Sequence, residues 1–284
     1  MHHDGYIGRK MRLPKLKEKP AIIIAAFGSS SRAKYGLDLF RSVVEQAFPD
    51  DDIFWAYTSE IIRKKDGSPG LQEILAQVES LGFRRAVVQP LHVFPGTEYS
   101  QLVETCQFFP GLRIVPGETL LHRWEFIKKT LQVIEPDFLS PEEGLNIIAL
   151  HGTPLAADSV NVVYLGIEHL LRNRYPNVIT GSIEGIPDAE GMLAGIRRNR
   201  LSKQYKKVKI TPMMYIAGLH AEEDLMGDEK GSWKSVLERM GFYVECSEVS
   251  HNDQDWFKGL AWYPEILNFY LERLRRAMML AQHY

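Results

Sequence analysis

The sequence predicts an α/β protein of two pseudo-symmetric halves, each a parallel sheet with helices on both faces, with a cleft between them. Three observations carry that expectation. Short apolar runs rich in β-branched residues alternate with longer stretches of helical period, the pattern of βαβ units. The alternation restarts midway along the chain. Equivalent strand ends also carry equivalent residues: Ala26-Phe27-Gly28-Ser29 matches Leu150-His151-Gly152-Thr153, Ser59-Glu60 matches Ile183-Glu184, and Pro90 with Gly96 matches Pro212 with Gly218.

Residues 21–27 (AIIIAAF) read as a buried strand, and residues 32–48 repeat apolar side chains at helical spacing until Pro49 stops them. Strand 53–58, helix 71–81 closed by Gly82, strands 86–91 and 112–115, and helix 124–134 ended by Pro136 complete the first half. The second half runs strand 145–150, helix 158–174, strand 178–183, helix 189–198, strand 208–214, helix 233–240 capped by Gly241, and strand 242–248. A long amphipathic helix over 264–280 closes the chain. The expected division is an extension over 1–19, an N-terminal half over 20–136, and a C-terminal half over 137–284 that carries the closing helix, joined at the proline-flanked stretch Pro136 to Pro141.

Hydrophobic residues at 45% and charged residues at 25% suit a packed core and exclude wholesale disorder. The 34 Lys and Arg against 36 Asp and Glu leave a net charge of -2, so neither nucleic acid nor a membrane surface is an expected partner. No apolar run approaches the ~20 residues that span a bilayer. The basic opening lacks the apolar core of a secretory signal, so a cytoplasmic chain is expected, with His2 and His3 a frayed end rather than a metal tag. Cys106 and Cys246 are too few for a Cys-rich zinc or iron–sulfur site and suggest no disulfide scaffold.

Ligands of open parallel sheets bind beyond the carboxyl ends of the strands. There the second half places His151, Glu184 and His220. Two imidazoles and a carboxylate suit a borderline divalent ion such as Co2+, Fe2+, Ni2+ or Zn2+, although each residue read alone is equally a cap, an ion-pair partner or a surface side chain. The FGSSSR stretch at 27–32 opens a helix; its amides could hold an anion with Arg32 adding charge, or form a plain serine-capped turn. His92 reads as a core histidine or as an axial ligand to a haem-like iron. The run Glu222-Glu223-Asp224 reads as a solvated acidic turn or as a lure for a hydrated cation. Nucleotide-binding glycine motifs and a serine-nucleophile elbow are absent from the sequence, so no nucleotide cofactor is expected.

The ordered set AAFGSSSR, FWAYTSEIIRKK, VVQPLHVFPGTEY, ALHGTP, SIEGIP and PMMYIAGLHAEEDLMGDEKGSW runs through both halves from about residue 20 onward. It resembles the anaerobic sirohydrochlorin cobaltochelatases of cobalamin biosynthesis, a family of ATP-independent class II chelatases. The resemblance implies a chelatase-like fold and insertion of Co2+ into sirohydrochlorin, with iron insertion towards sirohaem or a non-catalytic tetrapyrrole carrier as the alternatives. It implies a metal site of His151, Glu184 and His220 and a cleft carboxylate at Glu98; on imidazole chemistry, His151 or His220 is the expected acceptor of a pyrrole proton. Ser29 and Arg32 are expected at the substrate cleft, with Arg63 and Lys64 as further rim cations for the substrate's carboxylates. Some family members bind haem through the histidine of the QPLH motif, here His92. A homo-oligomer is the expected state.

Overall fold

Two four-stranded parallel sheets of the same topology carry the chain. The structure, a computed structural model, describes residues 15–29 and 31–283. His2, His3 and most of the 1–19 extension lie outside the described residues.

The first sheet contains β1 (Ala21–Ala26), β2 (Ile53–Tyr57), β3 (Arg85–Pro90) and β4 (Arg113–Pro116) in the order β2-β1-β3-β4. The second contains β5 (Leu145–Gly152), β6 (Val178–Glu184), β7 (Lys207–Pro212) and β8 (Tyr243–Cys246) in the order β6-β5-β7-β8. The internal likeness extends to register, since Ala25 pairs with Pro90 as Ala149 pairs with Pro212. In each sheet the first strand in sequence is central, so its side chains are buried on both faces. On β1, Ile22, Ile24 and Ala26 enter one core while Ala21, Ile23 and Ala25 enter another.

The helices are α1 (Tyr35–Ala47), α2 (Glu60–Asp66), α3 (Leu71–Ser80), α4 (Thr97–Gln107) and α5 (Trp124–Ile134), then α6 (Asn161–Arg174), α7 (Ala189–Arg198), α8 (Leu201–Gln204), α9 (Trp233–Arg239) and α10 (Pro264–His283). Every helix expected from periodicity is present, and α2, α4 and α8 are additional. The Ser59 side chain accepts the Ile62 N–H to start α2, and Gly67 ends it at φ 71°, a left-handed conformation that suits glycine. The expected strand 242–248 is shorter, and the chain continues into a hairpin, β9 (Glu248–His251) and β10 (Gln254–Phe257). Asn252 and Asp253, both at positive φ, make its two-residue turn.

The last helix departs most from the expected division. It lies across β3 and β4 of the first sheet rather than on the second. Its apolar stripe, including Tyr270, Leu274 and Met278, joins a core shared by Ile22 and Val87 of the first sheet and Ile148 and Leu150 of the second. The Tyr270 hydroxyl is 3.1 Å from the carbonyls of both Leu91 and His92. The buried Arg273 guanidinium donates to the Thr119 and Leu120 carbonyls. Thus the chain's end helps fix the loop after β3, one wall of the cleft described next.

Candidate active site

The carboxyl ends of the two sheets open into one cleft of about 580 Å³. Phe27, Ser29, His92 and Glu98 line it from the first half, and His151, Glu184, Leu219 and His220 from the second. Phe27, Leu155 and Leu219 stand at 46%, 53% and 46% exposure along this cleft, so large apolar side chains are left open to solvent where a flat apolar ligand could cover them. Buried Met213 and Met214 lie deeper in the lining.

His151 sits at the end of β5. Its Nδ1 lies 3.1 Å from the Gly152 carbonyl oxygen, which can only accept, so Nδ1 carries the proton and Nε2 keeps a free lone pair. Gly152 adopts φ +81° and pairs in register with Glu184; a side chain there would collide with the Glu184 carbonyl. Glycine is therefore what lets the ends of β5 and β6 close together where His151 and Glu184 enter the cleft lining. His220 reaches the same cleft from the loop after β7. Its Nδ1 lies 2.7 Å from Asp224 Oδ2, so this ring also donates through Nδ1 and keeps Nε2 free. The His151 and His220 ring centroids are 4.8 Å apart at 86°. Among the described residues, no three His, Cys, Asp or Glu side chains are gathered closely enough to hold an ion. The structure thus brings the two expected imidazoles together, while Glu184 is exposed in the same cleft without closing on them.

On the opposite wall the His92 side chain is 7% exposed, with Nε2 3.4 Å from Glu98 Oε2 and 3.4 Å from Thr58 Oγ1. A haem held by this ring would occupy the cleft itself. Glu98 is 52% exposed in the first turn of α4. That turn is held from across the cleft: Asp158 Oδ2 accepts from the Thr97 N–H at 3.1 Å and its hydroxyl at 2.8 Å. Burial opposes the Asp158 charge, but hydrogen bonds from Val160 and Thr97 outweigh it and hold the carboxyl below its ordinary value.

Ser29 lines the cleft, but its hydroxyl and that of Ser31 serve the local turn. Ser29 Oγ accepts the Ser31 N–H and Ser31 Oγ accepts the Ala33 N–H, each at 3.2 Å, so the serine-capped alternative is the one observed. Arg32 is not in the cleft lining. It donates to the Asp255 carbonyl at 3.1 Å and lies over the Trp256 ring, drawn away by the β9–β10 hairpin that the sequence did not reveal. Arg63 pairs with Glu73 at 3.2 Å and Lys64 with Glu60 at 2.6 Å, and neither lines the cleft. Burial pushes the Cys106 thiol up to about 12 and raises that of Cys246, and neither lines the cleft. Two partnerships escaped the sequence reading, which named Asp224 only as part of an acidic turn and gave Asp158 no role at the site. The four-residue spacing of His220 and Asp224 on a helical turn was the available signal for one; Asp158 gave none, because its partner is far away in sequence.

Known proteins resemble the chain in sequence and in fold. The chain is 28% identical over 276 residues to the sirohydrochlorin cobaltochelatase CbiKC of Nitratidesulfovibrio vulgaris, covering 92% of this chain and 91% of that one. It is 25% identical over 279 residues to a sirohydrochlorin cobaltochelatase of Salmonella typhimurium, covering 93% and 98%. Among solved structures, SirB from Bacillus subtilis with Fe3+ superposes with a TM-score of 0.58 at 15% identity, over 93% of this chain and 98% of that one. CbiX, described as the terminal enzyme of sirohaem biosynthesis in denitrifying bacteria, superposes with a TM-score of 0.52 at 14% identity, over 91% and 99%. These two likenesses concern the fold. The sequence profile of the cobalt chelatase (CbiK) family matches residues 20–279, and the chain belongs to that family.

Proposed function

We infer that the chain inserts Co2+ into sirohydrochlorin without ATP. The observation that carries this reading is the His151–His220 pair, two rings 4.8 Å apart whose Nε2 lone pairs are free, in a cleft edged by open apolar side chains. The flat tetrapyrrole lies between Phe27 on one wall and Leu155 and Leu219 on the other. Neutral imidazoles bind a labile divalent ion without the grip of thiolates, and rotation of the exposed Glu184 side chain adds a carboxylate that offsets charge and helps strip water. The ion is a substrate, so a donor set of intermediate strength serves its release.

Metallation also requires two pyrrole N–H protons to leave. A ring bound to the ion through Nε2 while donating through Nδ1 has no lone pair left, so His151 and His220 are poor proton acceptors once the ion is held. Glu98 on the facing wall is the available carboxylate. It is exposed enough to pass a proton to solvent, with His92 beside it. Haem on His92 is not part of this reading, because the ring lies inside the substrate's space. Among the described residues no helix is long and apolar enough to cross a membrane.

The test follows the absorbance of sirohydrochlorin on adding Co2+, with and without the protein and with no nucleotide. Faster metallation with wild type, lost in His151→Ala and His220→Ala variants that retain native circular dichroism, is the expected result. Metallation at the uncatalysed rate with wild type overturns the reading and favours a carrier. Higher turnover with Fe2+ than with Co2+ at limiting metal replaces cobalt by iron.

A further inference from the structure

The two imidazoles of the cleft are oriented by different acceptors. His151 donates its Nδ1–H to a neutral backbone carbonyl at 3.1 Å, whereas His220 donates to the carboxylate of Asp224 at 2.7 Å. The charge-assisted bond is the shorter and the stronger of the two. Three acidic residues follow His220 in the turn Ala221–Leu225, namely Glu222, Glu223 and Asp224, and only Asp224 meets the ring. The turn itself is fixed: the Ala221 and Glu222 N–H groups both donate to the Gly218 carbonyl, at 2.8 and 3.0 Å. A side chain at Gly218 would press on the Ser31 and Ser29 hydroxyls of the first half, so glycine lets this loop lie close to that turn.

We propose that Asp224 is a positioning residue which makes His220 the stronger of the two imidazole donors and the one that keeps the ion while His151 releases it. This rests on the chelatase reading and deepens it. A carboxylate accepting from Nδ1–H does two things to the far side of the ring. It fixes the tautomer, so that Nε2 always presents its lone pair to the cleft, and it raises the electron density at that lone pair. The Gly152 carbonyl fixes the His151 tautomer but adds no charge. A transfer site with one firm and one yielding ligand lets the ion exchange donors one at a time: the bond to His151 breaks as the first pyrrole nitrogen bonds, and the bond to His220 breaks last. The proposal also explains one acid of the run that sequence reading left as either solvated surface or a general lure for cations.

The experiment uses the full chain with Co2+ alone, with no tetrapyrrole present. Asp224→Asn keeps an oxygen able to accept from Nδ1–H but loses the charge; Asp224→Ala loses both. Co2+ affinity is read by calorimetry, and the tautomers of His151 and His220 are read by 15N NMR of the metal-free protein. Asp224→Ala is expected to weaken Co2+ binding by about 10- to 100-fold and to release His220 from the Nδ1–H tautomer, leaving His151 unchanged. Asp224→Asn is expected to preserve the tautomer and fall between wild type and Asp224→Ala in affinity. Unchanged affinity in Asp224→Ala, or a His220 tautomer unmoved by that substitution, overturns the proposal. So does Asp224→Asn binding Co2+ as tightly as wild type, since the charge would then add nothing to the His220 donor. A wild-type chain that binds Co2+ with this dependence on Asp224 but does not metallate sirohydrochlorin would sink the chelatase reading and leave the positioning role standing.

Discussion

Within the cleft the division of labour is set by which ring nitrogen is already committed. Because both His151 and His220 donate through Nδ1, their remaining lone pairs suit a cation, and the pyrrole protons need another acceptor. In the proposed mechanism Glu98 is that acceptor, on the facing wall, half exposed and 3.4 Å from the His92 imidazole. Removing its charge while keeping its shape therefore separates proton removal from metal capture. In Glu98→Gln we expect the single-turnover rate of Co2+ insertion to fall by about 100-fold, the lower end of what general bases contribute, with Co2+ affinity in the absence of tetrapyrrole at the wild-type value. Stopped-flow absorbance and calorimetry on the same preparations check it, and a parallel loss of Co2+ affinity would place Glu98 among the ligands instead. Sequence reading found His151, Glu184, His220, Glu98 and His92, all of which line the cleft. It misplaced Arg32, because the β9–β10 backbone and the Trp256 ring that hold its guanidinium lie more than two hundred residues away in sequence.

At the scale of elements, α4 shows how the two walls are kept in register. It begins after Gly96 without a side-chain cap of its own, and Asp158 from the second half satisfies its first N–H and the Thr97 hydroxyl. Glu98 is the next residue, so this one carboxylate places the proposed proton acceptor. Asp158→Ala should cost about 1 kcal/mol, the usual worth of a helix cap, and slow insertion without changing which ion is used. Its pH dependence follows from the depressed carboxyl. An Asp whose folded-state pKa lies below its unfolded value of about 3.9 stabilises fully above that value and loses the contribution as pH falls through the folded one. The gap in urea midpoint between wild type and variant should thus be full at pH 7 and shrink as pH falls below about 4; a gap unchanged at pH 3 would deny Asp158 an ionic role. The strands were readable because β1, β3, β5 and β7 each hold β-branched residues within a run whose residues are mostly buried. Helices α2 and α4 were not, because α2 buries none of its residues and α4 only Leu102 and Cys106, with starts set by Ser59 and by a residue of the other half.

For the whole molecule, the most consequential departure from sequence order is that the last helix serves the first sheet. A closing amphipathic helix reads as a cover for whatever precedes it, because periodicity shows which face is apolar and says nothing about where that face docks. Here α10 packs on β3 and β4, and its buried stripe enters a core that includes β1, β5 and α6. The two halves therefore share apolar contacts instead of meeting only across a wet cleft, and they should lose structure together. Leu274, fully buried in that stripe, offers the probe. Leu274→Ala should cost about 2–5 kcal/mol through lost burial and the cavity left behind. Because the core is common, the loss should appear equally in hydrogen exchange of the central strands β1 and β5, although Leu274 lies on a helix that packs on the first sheet. Protection that falls in β1 while β5 keeps its wild-type value would mean that the halves unfold independently, and the geometry of the cleft would then rest on Asp158 and the hairpin contacts of Arg32 rather than on a shared interior.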